Sequence, residues 1–482
     1  MHPLFTRSAV LASLIASAAL LISAQPRATA PRFQPDDPVW VDIDHQDASR
    51  VRARQGDDEL GKGLRALRHA GDRRPGRAAD VNSNDEVPDS SWFTNRIGVR
   101  PMSIDEIAAG PDRLPEPLTG PWTVVAGKTD GVTPGLRLQD VAGHVFFVKF
   151  DPPGHAEMAT GAEVVTTKLL YALGYRVPQN YIVTLRRGEL AIAPAAVFKA
   201  PDGRQRPMTA ADVDELLKHA ARRADGAYRM IASLKIEGRL VGPFQYDGTR
   251  SDDPNDVVPH QHRRELRALR VFSAWVNNVD TKPGNSLDTV VKAGERQVVR
   301  HYLIDFGSAL GSAGTEPKDW HDGYEYAFDR HAGLLALASF GAYLPPWRRV
   351  SFPDLPSAGR IEATAFDPAH WKPTLPNPAF DSAVAGDLFW AARRVTAFSD
   401  GAIRAAVATG RFSDPSVARY LADVLIARRD RIGRTWLTRM NPVVDPRIEE
   451  QQLRFGNAAV DAGIATPPRT YLIRWNAYDN VT

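Results

Sequence analysis

Asp280-Thr281-Lys282-Pro283-Gly284-Asn285, followed further on by Asp305-Phe306-Gly307, is the stretch on which the reading of this 482-residue chain turns. It gathers two carboxylates, an amide and an ammonium around a Pro-Gly turn. Just before it, Leu266, Leu269, Phe272 and Val276 recur at helical spacing, so the sequence predicts a half-buried helix from His262 to Asn277. Just after it, Val298 to Ile304 has strand texture and delivers Asp305 at its end, with Gly307 expected to allow a sharp turn. A loop carboxylate can orient an acceptor hydroxyl and take its proton. An Asn and a second Asp can hold a metal against phosphates, and a Lys can steady phosphate charge. Each motif alone arises by chance at ordinary composition; the two together, in this order and context, are specific.

The same chemistry needs a cation upstream. Trp122 to Val125, Leu136 to Leu138 and Val145 to Phe150 read as strands separated by Gly-containing turns. Lys149 lies at the end of the third, where a lone ammonium among apolar neighbours is costly. A helix from about Ala156 to Leu173 follows and stops at Gly174. It offers two carboxylates. Glu163 shares a face with Ala159, Thr166, Leu170 and Leu173 and should point inward, whereas Glu157 falls on the Lys168 side and reads as solvent-facing. Lys149 is therefore expected within salt-bridge distance of Glu163, with Asp305 across the cleft from both.

These residues resemble the protein-kinase-like superfamily, over roughly residues 120 to 440. The likeness is to its atypical branches: the HipA-like, spore-coat-kinase-like and secretory-pathway-kinase-like enzymes. The resemblance implies ATP with Mg²⁺ or Mn²⁺, Lys149 on the phosphates held by Glu163, Asp280 as base with Lys282 beside it, and Asn285 and Asp305 on the metal. Three departures stand out. Asn277-Asn278-Val279 replaces the usual His-Arg before the catalytic Asp. No Ala-Pro-Glu follows Asp305. In the place of the G-x-G-x-x-G phosphate loop stands Gly127-Lys128-Thr129-Asp130-Gly131-Val132-Thr133-Pro134-Gly135, in which Gly127 and Gly131 could let backbone amides approach phosphate, although a plain hairpin fits it equally well. A P-loop is excluded, because Trp122 stands at the first Gly position and a strand follows.

Around this centre the chain divides into a signal peptide over 1–24, a polar arm over 25–115, a strand-rich N-lobe over 116–240, a helical C-lobe over 241–440 and a tail over 441–482. The expected fold class is α+β: a two-lobed, protein-kinase-like fold. In the leader, Arg7 precedes an apolar run from Ala9 to Ile22, inside the roughly 7–15 residues of a signal core and short of the ~20 that span a bilayer. The mature chain is expected in the periplasm or secreted, with no transmembrane segment. Trp92 and Phe93 are expected to dock the arm onto the body.

Composition narrows the partners. A formal charge of +3 is too small a margin to argue a nucleic-acid-binding surface, which needs clustered basic charge, so no nucleic acid is expected. The absence of Cys rules out disulfides, Cys-ligated zinc, iron–sulfur clusters and thiol nucleophiles. His260-Gln261-His262 reads as a helix-start loop, not a metal pair. Asp252-Asp253-Pro254-Asn255-Asp256 reads as a capped turn, and Arg428-Arg429-Asp430-Arg431 as a solvated face or an internal ion pair. The expected partners are a nucleotide and an envelope protein, saccharide or lipid acceptor. The alternatives are a nucleotide-binding pseudokinase, a structural envelope module without turnover, and transfer of AMP instead of phosphate.

Overall fold

The computed structural model describes residues 44–54 and 76–475, except 83, 128–134, 200–203, 328, 330–333, 336 and 341. The leader expected over 1–24 and Gly131 lie outside the described residues.

The architecture is α+β in two lobes. After a short helix, α1 (Ile104–Ala109), come β1 (Trp122–Gly127), β2 (Gly135–Gln139) and β3 (Val145–Phe150). Helix α2 (Met158–Leu173) leads to β4 (Asn180–Leu185), β5 (Leu190–Lys199), β6 (Gln205–Pro207), α3 (Ala210–Lys218) and β7 (Tyr228–Leu234). These strands make one seven-stranded sheet in the order β4-β7-β3-β2-β1-β5-β6, antiparallel except where β1 meets β5. Alternation along β3 buries Phe146, Val148 and Phe150 on one face and leaves Phe147 and Lys149 on the other, where they face the cleft.

Short strands β8 (Arg239–Gly242), β9 (Ser286–Ala293) and β10 (Arg296–Leu303) form a three-stranded sheet beneath the cleft. The helical lobe is α4 (Arg264–Val276), α5 (Ala385–Thr396), α6 (Asp400–Ala408) and α7 (Pro415–Trp436), closed by the hairpin β11 (Val443–Glu449) and β12 (Gln452–Asn457). Helix starts follow local chemistry: Ser399 caps α6, and Asp414 caps α7 with Pro415 in its first turn.

Helix α4 departs from the half-buried amphipathic reading. Arg264 and Arg267 are buried too, because the buried Asp387 of α5 accepts from both, at 3.0 and 3.2 Å. The arm docks through Trp92, which stacks on His301 at 3.5 Å and lies under the Arg263 guanidinium at 4.6 Å. Phe93 packs against Gly174, the helix stop, where a Cβ would fall inside its ring. Among the described residues, no helix is long and apolar enough to cross a membrane.

Candidate active site

Lys149, Glu163, Asp280, Lys282, Asn285 and Asp305 all line one cavity of about 130 Å³ between the lobes. Lys149 Nζ donates to Asp305 Oδ1 at 2.6 Å and lies 3.5 Å from Glu163 Oε2. The pairing with Glu163 has the expected partner. The placement of Asp305 differs from expectation: it touches Lys149 directly and does not stand across the cleft. Its backbone explains this, since Asp305 itself takes the left-handed conformation, φ 63°, and aims its carboxylate back at β3.

The turn is thus made by Asp305 and not by Gly307. Glycine serves at 307 by allowing close approach, because a Cβ there would sit 3.3 Å from Glu163 Oε2. Glu163 Oε1 accepts the Phe306 amide at 3.0 Å, so α2 grips the end of the Asp305 turn. Asn180 on β4 approaches the same oxygen at 3.5 Å and donates to Thr167 Oγ1 at 2.8 Å. Burial opposes the Lys149 ammonium, but the charges of Glu163 and Asp305 outweigh it and hold its pKa above the ordinary lysine value. Burial pushes the Glu163 carboxyl up, with Lys149 opposing. The mutual attraction favours the ionised pair.

Glu157 is not solvent-facing. It is buried at the start of α2, where its Oε2 accepts the Ser413 amide at 2.7 Å and the Ser413 hydroxyl at 3.0 Å. Lys168, which marked the supposed solvent side, is buried against Asp112. A helix covered on nearly every side has no outer face from which to sort its carboxylates.

In the loop, Lys282 Nζ donates to Asp280 Oδ2 at 3.0 Å. Asn285 Nδ2 donates to the Asp280 carbonyl at 2.7 Å, which leaves the amide oxygen of Asn285 as its acceptor end. The Ile304 amide donates to the Asn285 carbonyl at 3.0 Å and ties the loop to the strand before Asp305. Asn377 steadies the other side by donating to the Thr281 carbonyl at 3.1 Å. Among the described residues, no cluster of three His, Asp or Glu stands ready as a metal site. A metal would need Asn285 Oδ1 and Asp305 together with phosphate oxygens, and that oxygen-donor set suits Mg²⁺ or Mn²⁺.

Beside the polar cavity lies an apolar slot of about 350 Å³, lined among others by Leu136, Val148, Leu234, Leu287 and Ile304 and reaching Lys149 and Asp305. Gly127 is at its edge; a Cβ there would meet Met208 and Phe198 at an ordinary 3.9 Å, so no steric demand for glycine exists at 127.

Sequence reasoning missed two features. Lys318 is buried, and burial lowers its pKa to about 8 against the opposing charges of Asp322 and Asp280. The chain after Asp305 is anchored to α7 by Glu362. Its carbonyl accepts from the buried Arg428 at 3.2 Å, and its carboxylate meets the Tyr324 hydroxyl. Arg428 is therefore internal, with its guanidinium 3.8 Å from the Phe366 ring centroid. A Glu at 362 has no sequence signal, because its partner lies in a distant helix. The His260–His262 segment is a single helical turn, in which His260 bonds Asp256 at 2.7 Å.

No protein-family model matches the chain, and no curated protein matches it. Among solved structures, the proinflammatory kinase CtkA of Helicobacter pylori is similar over 65% of this chain and 95% of that one, at 13% identity and a TM-score of 0.34. The Golgi casein kinase with Mn/ADP bound is similar over 68% of this chain and 76% of that one, at 11% identity and a TM-score of 0.30. A second structure of the Golgi casein kinase is similar over 65% and 74%, again at 11% identity and 0.30.

Proposed function

We propose that this cleft moves the terminal phosphoryl group of ATP to an acceptor hydroxyl. The observation that carries the reading is the convergence of Lys149, Glu163, Asp280, Lys282, Asn285 and Asp305 on one cavity beside an apolar slot of the size a purine needs. In it, Lys149 binds phosphate oxygens while Glu163 keeps it in place. Asp280 orients the acceptor hydroxyl and receives its proton as the new O–P bond forms and ADP departs. Lys282, beside Asp280, meets charge on the group in transit. Asn285 Oδ1 and Asp305 are the residues that would hold Mg²⁺ or Mn²⁺, which when bound neutralises phosphate charge.

Within this reading the chain is an exported, atypical kinase-like enzyme of the HipA-like, spore-coat-kinase-like or secretory-pathway-kinase-like kind. It works in the periplasm or outside the cell, on an envelope protein, saccharide or lipid group. The test is incubation of the purified chain with γ-labelled ATP and Mn²⁺ or Mg²⁺, alone and with envelope fractions. Label should pass to the chain or to a fraction, with a product heavier by one phosphoryl group. A product heavier by AMP would replace phosphoryl with nucleotidyl transfer. Thermal stabilisation by nucleotide without any product would make the chain a binding module, and no stabilisation by any nucleotide would overturn both.

A further inference from the structure

The segment between the cleft and α5 carries a run of exposed apolar side chains. Leu334, Leu337 and Phe340 are 65%, 74% and 98% exposed, and Leu335, Tyr343 and Leu344 are exposed beside them. Single exposed apolar side chains are ordinary, but six large ones within eleven positions are a patch that soluble surfaces avoid.

The patch is built, not frayed. The Ser339 amide donates to the Leu335 carbonyl at 3.0 Å and the Phe340 amide to the Leu337 carbonyl at 3.1 Å. The Tyr343 amide donates to Ser339 Oγ at 3.1 Å. Phe340 itself takes the left-handed conformation, φ 50°, which turns the chain at the tip and presents its ring outward. The far end is pinned by Trp347, buried and stacked on Tyr324 with ring centroids 6.0 Å apart.

Charge selects the occupant. From 330 to 353 the sequence has Arg330, His331, Arg348 and Arg349 and no Asp or Glu. Arg348 and Arg349 are exposed directly after the apolar tip, and among the described residues neither is paired with a carboxylate. Leu and Phe side chains with flanking Arg, a Tyr at the boundary and no negative charge are what a segment lying in a lipid–water interface needs. The apolar groups enter the acyl boundary while guanidinium groups meet phosphate.

We propose that Leu334, Leu337, Phe340 and Leu344, with Arg348 and Arg349, seat this protein on an anionic bilayer surface, with Phe340 and Leu337 in the acyl boundary and Arg348 and Arg349 at the headgroups. The contact needs neither nucleotide nor metal, so it stands apart from the chemistry of the cleft.

The chain has no Cys, which allows a single reporter. Phe340→Cys labelled with a polarity-sensitive fluorophore is compared with the same label at Val141→Cys, 78% exposed on the turn between β2 and β3. Both full-length chains are mixed with vesicles of phosphatidylglycerol and phosphatidylcholine, or of phosphatidylcholine alone. The label at 340 should shift to the blue and be quenched by nitroxide-bearing acyl chains on the mixed vesicles, while that at 141 stays in water. Arg348→Ala combined with Arg349→Ala should weaken partitioning roughly thirtyfold. An unmoved label at 340, equal shifts at both positions, or equal affinity for both vesicles would overturn the proposal. A shift at 340 that grows with protein concentration in the absence of lipid would overturn it in favour of a second copy of the chain.

Discussion

Lys149 holds one positive charge against two carboxylates, and only one of them is deeply buried. Replacing it with Met leaves the buried Glu163 carboxyl without its counter-ion, so Lys149→Met should lower unfolding free energy by about 3–5 kcal/mol, measured by urea denaturation. Glu163→Gln in the same background should recover much of that loss. The two loop carboxylates should separate by function. Asp305→Ala should lose metal-dependent nucleotide binding in calorimetry, whereas Asp280→Ala should keep binding and lose transfer by roughly 10²–10⁴-fold. Equal binding losses would show the roles wrongly divided. Lys318 adds a pH signature. Its amine titrates near 8 in the folded chain and near 10.5 when unfolded, so the unfolded state holds more protons between those values and stability rises with pH across that window. Below it the penalty is fully present, about 3 kcal/mol. Lys318→Met should therefore be more stable at pH 7 and lack the alkaline rise; identical pH slopes would refute this. The six converging side chains were legible because two short motifs and a strand–helix pair mark them. Lys318 and Glu362 were not, because their roles come from partners set by the fold and not by spacing.

The elements divide in the same way. Strand β3, the stop of α2 at Gly174 and the capped starts of α6 and α7 could be read because their signals are local. The sequence assigns nothing to β5, β8, β9 and α5, which carry mixed patterns and acquire their identity by pairing or by receiving Arg264 and Arg267. Face analysis of helix α2 placed Glu163 inward but failed for Glu157, because both lobes and the arm cover the helix. One position tests that cover: at Gly161 a Cβ would fall 2.5 Å from Phe412 Cζ. Gly161→Ala gains helix propensity yet should destabilise by about 1–3 kcal/mol through overpacking. A net gain in melting temperature would show that the Phe412 ring moves aside freely.

Across the whole molecule, the arm is part of the body. Trp92 touches His301, Arg263, His260 and Phe244, and no described arm residue lines either cavity of the cleft. Trp92→Ala should cost about 3–5 kcal/mol in chemical denaturation while leaving nucleotide affinity unchanged under native conditions; a large drop in affinity would place the arm in the cleft's function. Arg229 of β7 reaches the Gly410 and Arg411 carbonyls of the other lobe, close to where Glu157 holds Ser413 and Phe412 fills the notch at Gly161. One end of α2 is bolted there and the other is wedged at Gly174 by Phe93. Held from outside at both ends, the helix sets where the Glu163 carboxylate stands against Lys149 and the Phe306 amide, so a change at Phe412 or Phe93 would be felt at the cleft.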